Sequence, residues 1–125
     1  MTNVTISKLN KRDIDDVYPL VSDIGVMRSV GNGKIWSKEK LKEFLEFSEA
    51  DWKKGQNAAY LHWKIKLGKT FIGLISLHHA PGLMHKLPAL KGEFFLTYML
   101  LKNYQGRGLG TKALRIAVAA FKRLK

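Results

Sequence analysis

The stretch from Phe94 to Lys125, FFLTYMLLKNYQGRGLGTKALRIAVAAFKRLK, constrains the fold more than any other part of the chain. It reads as a strand, a glycine-rich turn and an amphipathic helix. The turn is Gln105-Gly106-Arg107-Gly108-Leu109-Gly110. Its alternating glycines permit a tight bend and leave no side chains between the backbone amides and a ligand. The helix after it aims its first unpaired N–H groups, and the positive end of its dipole, at the same place. Arg107 and Lys102 add positive charge, and no acidic residue follows Glu93. The segment asks for a ligand that bears phosphate.

Spacing narrows the choice. A P-loop needs Gly, four residues, then Gly-Lys-Ser/Thr, and that pattern is absent. Gly108, Gly110 and Ala113 formally meet the dinucleotide fingerprint G-x-G-x-x-G/A, but that fingerprint needs a second strand with an acidic residue roughly 20 positions on. The sequence stops at Lys125. A third pattern, Gln/Arg-x-x-Gly-x-Gly/Ala directly after a strand, is met by Gln105, Gly108 and Gly110. With Tyr98-Met99-Leu100 and Tyr104 ahead of it, this segment resembles the acetyl-CoA motif of the GNAT N-acetyltransferase superfamily.

Composition sets the outer limits. At 125 residues and 46% apolar, the chain is expected to form a single domain, 1–125, with a modest core. The absence of cysteine excludes disulfides, thiolate zinc sites and a cysteine nucleophile, and fits a cytoplasmic protein. No metal site is expected. No apolar run approaches the roughly 20 residues of a membrane span, and the amino terminus lacks a signal-peptide core, so no membrane partner is expected. Net charge is +12, and nine of the ten acidic residues lie at or before Asp51. Such an excess favours a phosphate cofactor, a polyanion or an acidic surface.

Val4 to Leu9 alternates and is β-branched, as a first strand would be. Asp13 stands where an N-cap would, before a helix over Ile14 to Ser22. Gly25 to Gly33 reads as a loop, within which Met27 to Val30 could form a helical turn. Ser37 is a good N-cap for a helix from Lys38 to about Lys54, with Leu41, Phe44, Leu45 and Trp52 as its core stripe. Glu49 and Lys53 are spaced as an ion pair on it, and Gly55 ends it. Ala59 to Leu67 and Thr70 to His78 form a hairpin around Gly68-Lys69. A fourth strand over Glu93 to Leu101 and the last helix follow. The order β-α-α-β-β-β-α predicts an α/β (α+β) fold, with a mixed, mostly antiparallel sheet flanked by helices. This is the amino-terminal part of the GNAT fold. The wording around Val26 to Phe47 looks most like the branch of ribosomal-protein amino-terminal acetyltransferases.

The resemblance implies an acetyl-CoA-dependent N-acetyltransferase. Tyr98, Met99 and Leu100 would pair by backbone with pantetheine. Gln105, Gly106, Arg107, Gly108, Leu109, Gly110 and Thr111 would hold the pyrophosphate. The acceptor is an amine, either a small molecule or a protein amino terminus. Glu93 is a candidate base, with His78 and His79 behind it; the branch often has glutamate where Phe95 stands. The resemblance also implies a fifth strand, a further helix and two closing strands after Lys125. Their absence leaves the sheet edge and the apolar face of the last helix open, with room for a homodimer. The alternative is a basic domain that binds CoA or a polyanion such as RNA without catalysis, through Lys64, Lys66, Lys69, Lys86 and Lys91. That reading rests on charge alone; no motif of a nucleic-acid module is present.

Overall fold

The computed structural model describes residues 3–30, 32–55, 58–78 and 95–123. Glu93, His79, His85, Lys86, Lys91 and Leu124 lie outside them. Four strands form one sheet in the order β1 (Val4–Lys8), β2 (Tyr60–Leu67), β3 (Thr70–His78) and β4 (Phe95–Leu100). All three pairings are antiparallel. The β2–β3 hairpin turns through Gly68, whose φ of 63° suits glycine. β4 is an edge strand: among the described residues it pairs with β3 alone.

The β2–β3 register shifts between Ile65 and Lys66, leaving Ile72 as an extra residue on β3. This bulge sorts the apolar side chains. Ile72, Ile75 and Leu77 join Leu61, Trp63 and Ile65 on one face, while Phe71 and Leu74 point to the other. Helix α4 (Leu109–Lys122) covers the first face with Leu109, Ala113, Ala117 and Phe121. Phe121 is 7% exposed, and Ala113 and Ala117 are buried with it, so at these residues the expectation of an open apolar face is corrected; Ile116 and Ala120 are half-buried.

The second face carries α1 (Ile14–Val21), the one-turn α2 (Ile24–Met27) and α3 (Lys38–Trp52). Val17, Leu20, Met27, Leu41 and Leu45 are buried there with Leu74. Ser37 caps α3 as its position predicts, its side chain accepting the Lys40 N–H at 3.1 Å. The short α2 starts at Ile24, three residues before the turn expected over Met27 to Val30, because Asp23 caps it by accepting the Gly25 N–H at 2.8 Å.

Two expected local roles are replaced by longer-range ones. Asp13 makes no side-chain cap for α1. Its Oδ1 binds Lys64 Nζ at 2.7 Å and its Oδ2 accepts the Asn10 N–H at 2.9 Å, so both oxygens are engaged elsewhere. Lys64 is accordingly committed to the interior and is not part of a polyanion surface. Glu49 accepts the Lys11 N–H at 2.6 Å, tying α3 to the turn before α1. Among the described residues, no helix is long and apolar enough to cross a membrane.

Candidate functional site

The edge strand and the turn after it build one cleft. The Leu101 N–H donates to the Ile72 carbonyl at 2.8 Å. In an antiparallel ladder, successive residues direct their backbone groups to opposite sides. Met99 and Thr97 therefore face β3 with Leu101, whereas Tyr98 and Leu100 turn their N–H groups to the open edge. The Leu100 carbonyl points the same way and accepts the Gln105 side-chain amide at 3.0 Å. Gln105 thus fastens the turn to the strand with its side chain; its expected place among the ligand contacts is left to its backbone.

The turn bends as the glycines predict. Gly106 and Gly108 have φ of 75° and 76°. A Cβ at either would meet nothing within 4 Å, so these positions are open towards solvent. Gly108 is also the N-cap of α4 and offers no side-chain cap. The amides of Leu109, Gly110 and Thr111 therefore have no intrahelical partner. They stand at the positive end of a helix of 14 residues.

These parts converge. A cavity of about 610 Å³ is lined by Tyr98, Met99 and Leu100 of β4, by Gln105, Gly106 and Gly108 of the turn, and by Leu109 to Thr111 of α4. Val26, Ser29 and Val30 close its far side. Of the predicted cofactor residues, only Arg107 is not in this lining; its guanidinium lies 5.5 Å from the Tyr104 ring centre. Among the described residues, the lining holds no acidic side chain.

A second cavity of about 480 Å³ adjoins it, sharing Ser29, Val30, Tyr98 and Met99. Among the described residues, Trp36, Phe44, Leu74, Ser76 and Thr97 also line it. Trp36 and Phe44 meet edge to face with centroids 5.0 Å apart. Phe44, expected as plain core, is half-buried and gives one face to this space. Of the candidate bases, His78 lies at the exposed end of β3 and stacks on Tyr60 at 4.5 Å, outside both linings. Glu93 and His79 lie beyond the described residues.

His62 has a place that its sequence context did not disclose. Its Nδ1 lies 2.7 Å from Ser76 Oγ. Its ring packs against Phe44 at 4.5 Å. Burial pushes its pKa down to about 4, so the imidazole is neutral near pH 7.

A family model for the acetyltransferase (GNAT) domain matches residues 3–125. The chain belongs to the GNAT acetyltransferase family. Solved structures share the fold of this GNAT domain at low identity. One is RimL, a ribosomal L7/L12 alpha-N-protein acetyltransferase in complex with coenzyme A: TM-score 0.78, 14% identity, covering 98% of this chain and 66% of that one. The PaiA N-acetyltransferase from Thermoplasma acidophilum, also with coenzyme A, has TM-score 0.63 and 20% identity over 97% of this chain and 73% of its own. The microcin C7 self-immunity acetyltransferase MccE, in complex with acetyl-CoA and AMP, has TM-score 0.72 and 20% identity over 94% and 62%. The GNAT domain described by this chain thus spans about two thirds of the length of these proteins. No curated protein sequence matches it.

Proposed function

We propose that the protein is an acetyl-CoA-dependent N-acetyltransferase that moves acetyl directly from the CoA thioester to a primary amine. One observation carries this reading. The outward N–H groups of Tyr98 and Leu100 and the unpaired amides of Leu109 to Thr111 line the same cavity. An extended pantetheine amide can bond to the strand edge while the pyrophosphate sits on the helix N-terminus. The thioester end then points along β4 towards the second cavity.

There the amine nitrogen attacks the thioester carbonyl carbon, the C–S bond breaks, and sulfur leaves with the bonding pair. An outward N–H of β4 stabilises the oxyanion formed between these events. The amine must lose a proton, and we assign Glu93 as the base, since it is the acidic residue of the sequence nearest to β4. RimL is an alpha-N-protein acetyltransferase of ribosomal L7/L12, and MccE is a microcin C7 self-immunity acetyltransferase seen with acetyl-CoA and AMP; a protein amino terminus and a small amine both suit the general reaction. A non-catalytic polyanion site is less well supported, because Lys64 is bound to Asp13.

The test is thiol release from acetyl-CoA in the presence of an amine panel. The sequence contains no cysteine, so a thiol reagent reads CoA without background from the protein. Amine-dependent release supports the proposal. Release at the buffer rate with every amine, in a folded protein that binds acetyl-CoA, contradicts it and favours a CoA-binding domain without catalysis.

A further inference from the structure

His62, Ser76 and Thr97 are register partners across β2, β3 and β4. They form a polar row across the sheet face that also carries Leu74 and Met99, two residues along β2 from the Lys64–Asp13 pair. His62 and Ser76 are half-buried beside Leu74 and Phe44, where a polar group is unfavourable unless hydrogen-bonded, whereas Thr97 is exposed. The row ends in the second cavity, which Ser76 and Thr97 line.

We propose that the Ser76 hydroxyl, held by His62, seats the acceptor amine, and that this acceptor carries an apolar or aromatic group beside a single amino group. The word acceptor rests on the acetyltransferase reading above; the binding site does not. His62 is a positioning residue. Its ring is fixed between Phe44 and Tyr60, and its backbone carbonyl accepts the Trp52 indole N–H at 2.9 Å and the Leu9 N–H at 3.2 Å. A neutral imidazole has one bare nitrogen. With Nδ1 bare, Ser76 donates its proton to His62 and turns its lone pairs to the cavity. Those lone pairs accept from the N–H of an amine.

The walls choose the rest of the molecule. Trp36, Phe44, Leu74 and Met99 offer aromatic and aliphatic surface. No carboxylate lines either cavity among the described residues. Beyond Glu93, assigned above to the reacting amine, the walls among the described residues offer no carboxylate for the further positive charges that a polyamine or aminoglycoside would bring to a protein of net charge +12.

The test needs no catalysis. Titrate the protein with phenethylamine, and separately with spermidine, while following the ring nitrogen resonances of His62. Phenethylamine is expected to shift them in a saturable way, and spermidine to leave them unmoved. Ser76→Ala should weaken phenethylamine binding roughly tenfold, the scale for a lost hydrogen bond to a charged group. Ser76→Thr, which keeps a hydroxyl, should retain most of the affinity. His62→Phe, which keeps the packing and removes Nδ1, reads the same arrangement by a second route should Ser76→Ala fold poorly. Unchanged affinity in Ser76→Ala or His62→Phe, or spermidine binding as tight as phenethylamine, would overturn the proposal. Thermal shifts with acetyl-CoA on the same samples report separately on the acetyltransferase reading.

Discussion

Gly110, in the first turn of α4, lies directly against the ring of Tyr98 on β4. A Cβ at Gly110 would fall 2.3 Å from Tyr98 Cε2. The third glycine of the turn is thus required by a close approach of strand and helix, whereas Gly106 and Gly108 are required by their positive φ. This contact sets the distance between the strand edge and the helix N-terminus, and so the width of the cleft.

Gly110→Ala should therefore act on the cofactor before it acts on the fold. Tyr98 is 46% exposed, so its ring can swing away from a new methyl group. Alanine also gains up to ~1 kcal/mol of helix propensity over glycine. Acetyl-CoA affinity should fall about tenfold, the equivalent of ~1.4 kcal/mol. Calorimetry and a thermal melt on one sample check this. A large loss of melting temperature with unchanged affinity would show that the contact serves packing alone.

Gly108 separates shape from charge. Its φ of 76° strains most side chains, but asparagine tolerates this region. Gly108→Asn should fold and bind acetyl-CoA with modest loss. Gly108→Asp has nearly the same shape and adds a negative charge at the helix N-terminus, so it should bind at least tenfold more weakly than Gly108→Asn, a gap of ~1.4 kcal/mol or more. Equal affinities of the two variants would remove the pyrophosphate from this position.

The turn, the hairpin and the two long helices were legible because their signals are local. Alternating glycines, Ser37 before a helical stripe, and Gly68 between alternating runs each specify structure within a few residues. Relationships across the sheet were not. Asp13 and Lys64 are 51 positions apart, so Asp13 reads in sequence as a helix cap. His62 and Ser76 meet only through a register that carries a bulge at Ile72, and the bulge also breaks the alternation of TFIGLISLH. Phe44 fits a core stripe in sequence, and nothing local shows that a cavity opens beside it. Gln105 matches the cofactor motif by position, yet its side chain is spent on Leu100.

The Asp13–Lys64 pair should be costly to break from one side. Their side chains are only 7% and 15% exposed. Asp13→Ala leaves the Lys64 ammonium without its partner in a mostly dry site, and should destabilise by about 3–5 kcal/mol. Replacing both, as Asp13→Leu with Lys64→Met, should be milder than Asp13→Ala alone. Urea unfolding of the three proteins checks the order, and a double variant less stable than the single one would contradict it.

His62 should make stability depend on pH in a defined window. Its folded pKa is depressed from 6.5 to about 4 by burial. Between those values the unfolded chain binds the proton and the folded one resists it. Stability is therefore full above about pH 6.5 and declines as pH falls towards 4. The whole effect is ~3.5 kcal/mol at most, from about 1.4 kcal/mol per tenfold change in proton affinity. Urea unfolding at neutral pH and near pH 4 should show a drop that is smaller in His62→Phe. The same drop in both proteins would assign the acid sensitivity to other groups.

One cleft, made from the edge of β4 and the N-terminus of α4, is proposed above to hold acetyl-CoA. The direct measurement is a titration of the isotope-labelled protein with acetyl-CoA, read at the backbone amides. Saturable shifts should concentrate at Tyr98, Leu100, Leu109, Gly110 and Thr111, and persist with little loss as salt is raised. Absence of saturable binding, or shifts that spread over exposed basic side chains and vanish with salt, would contradict the account.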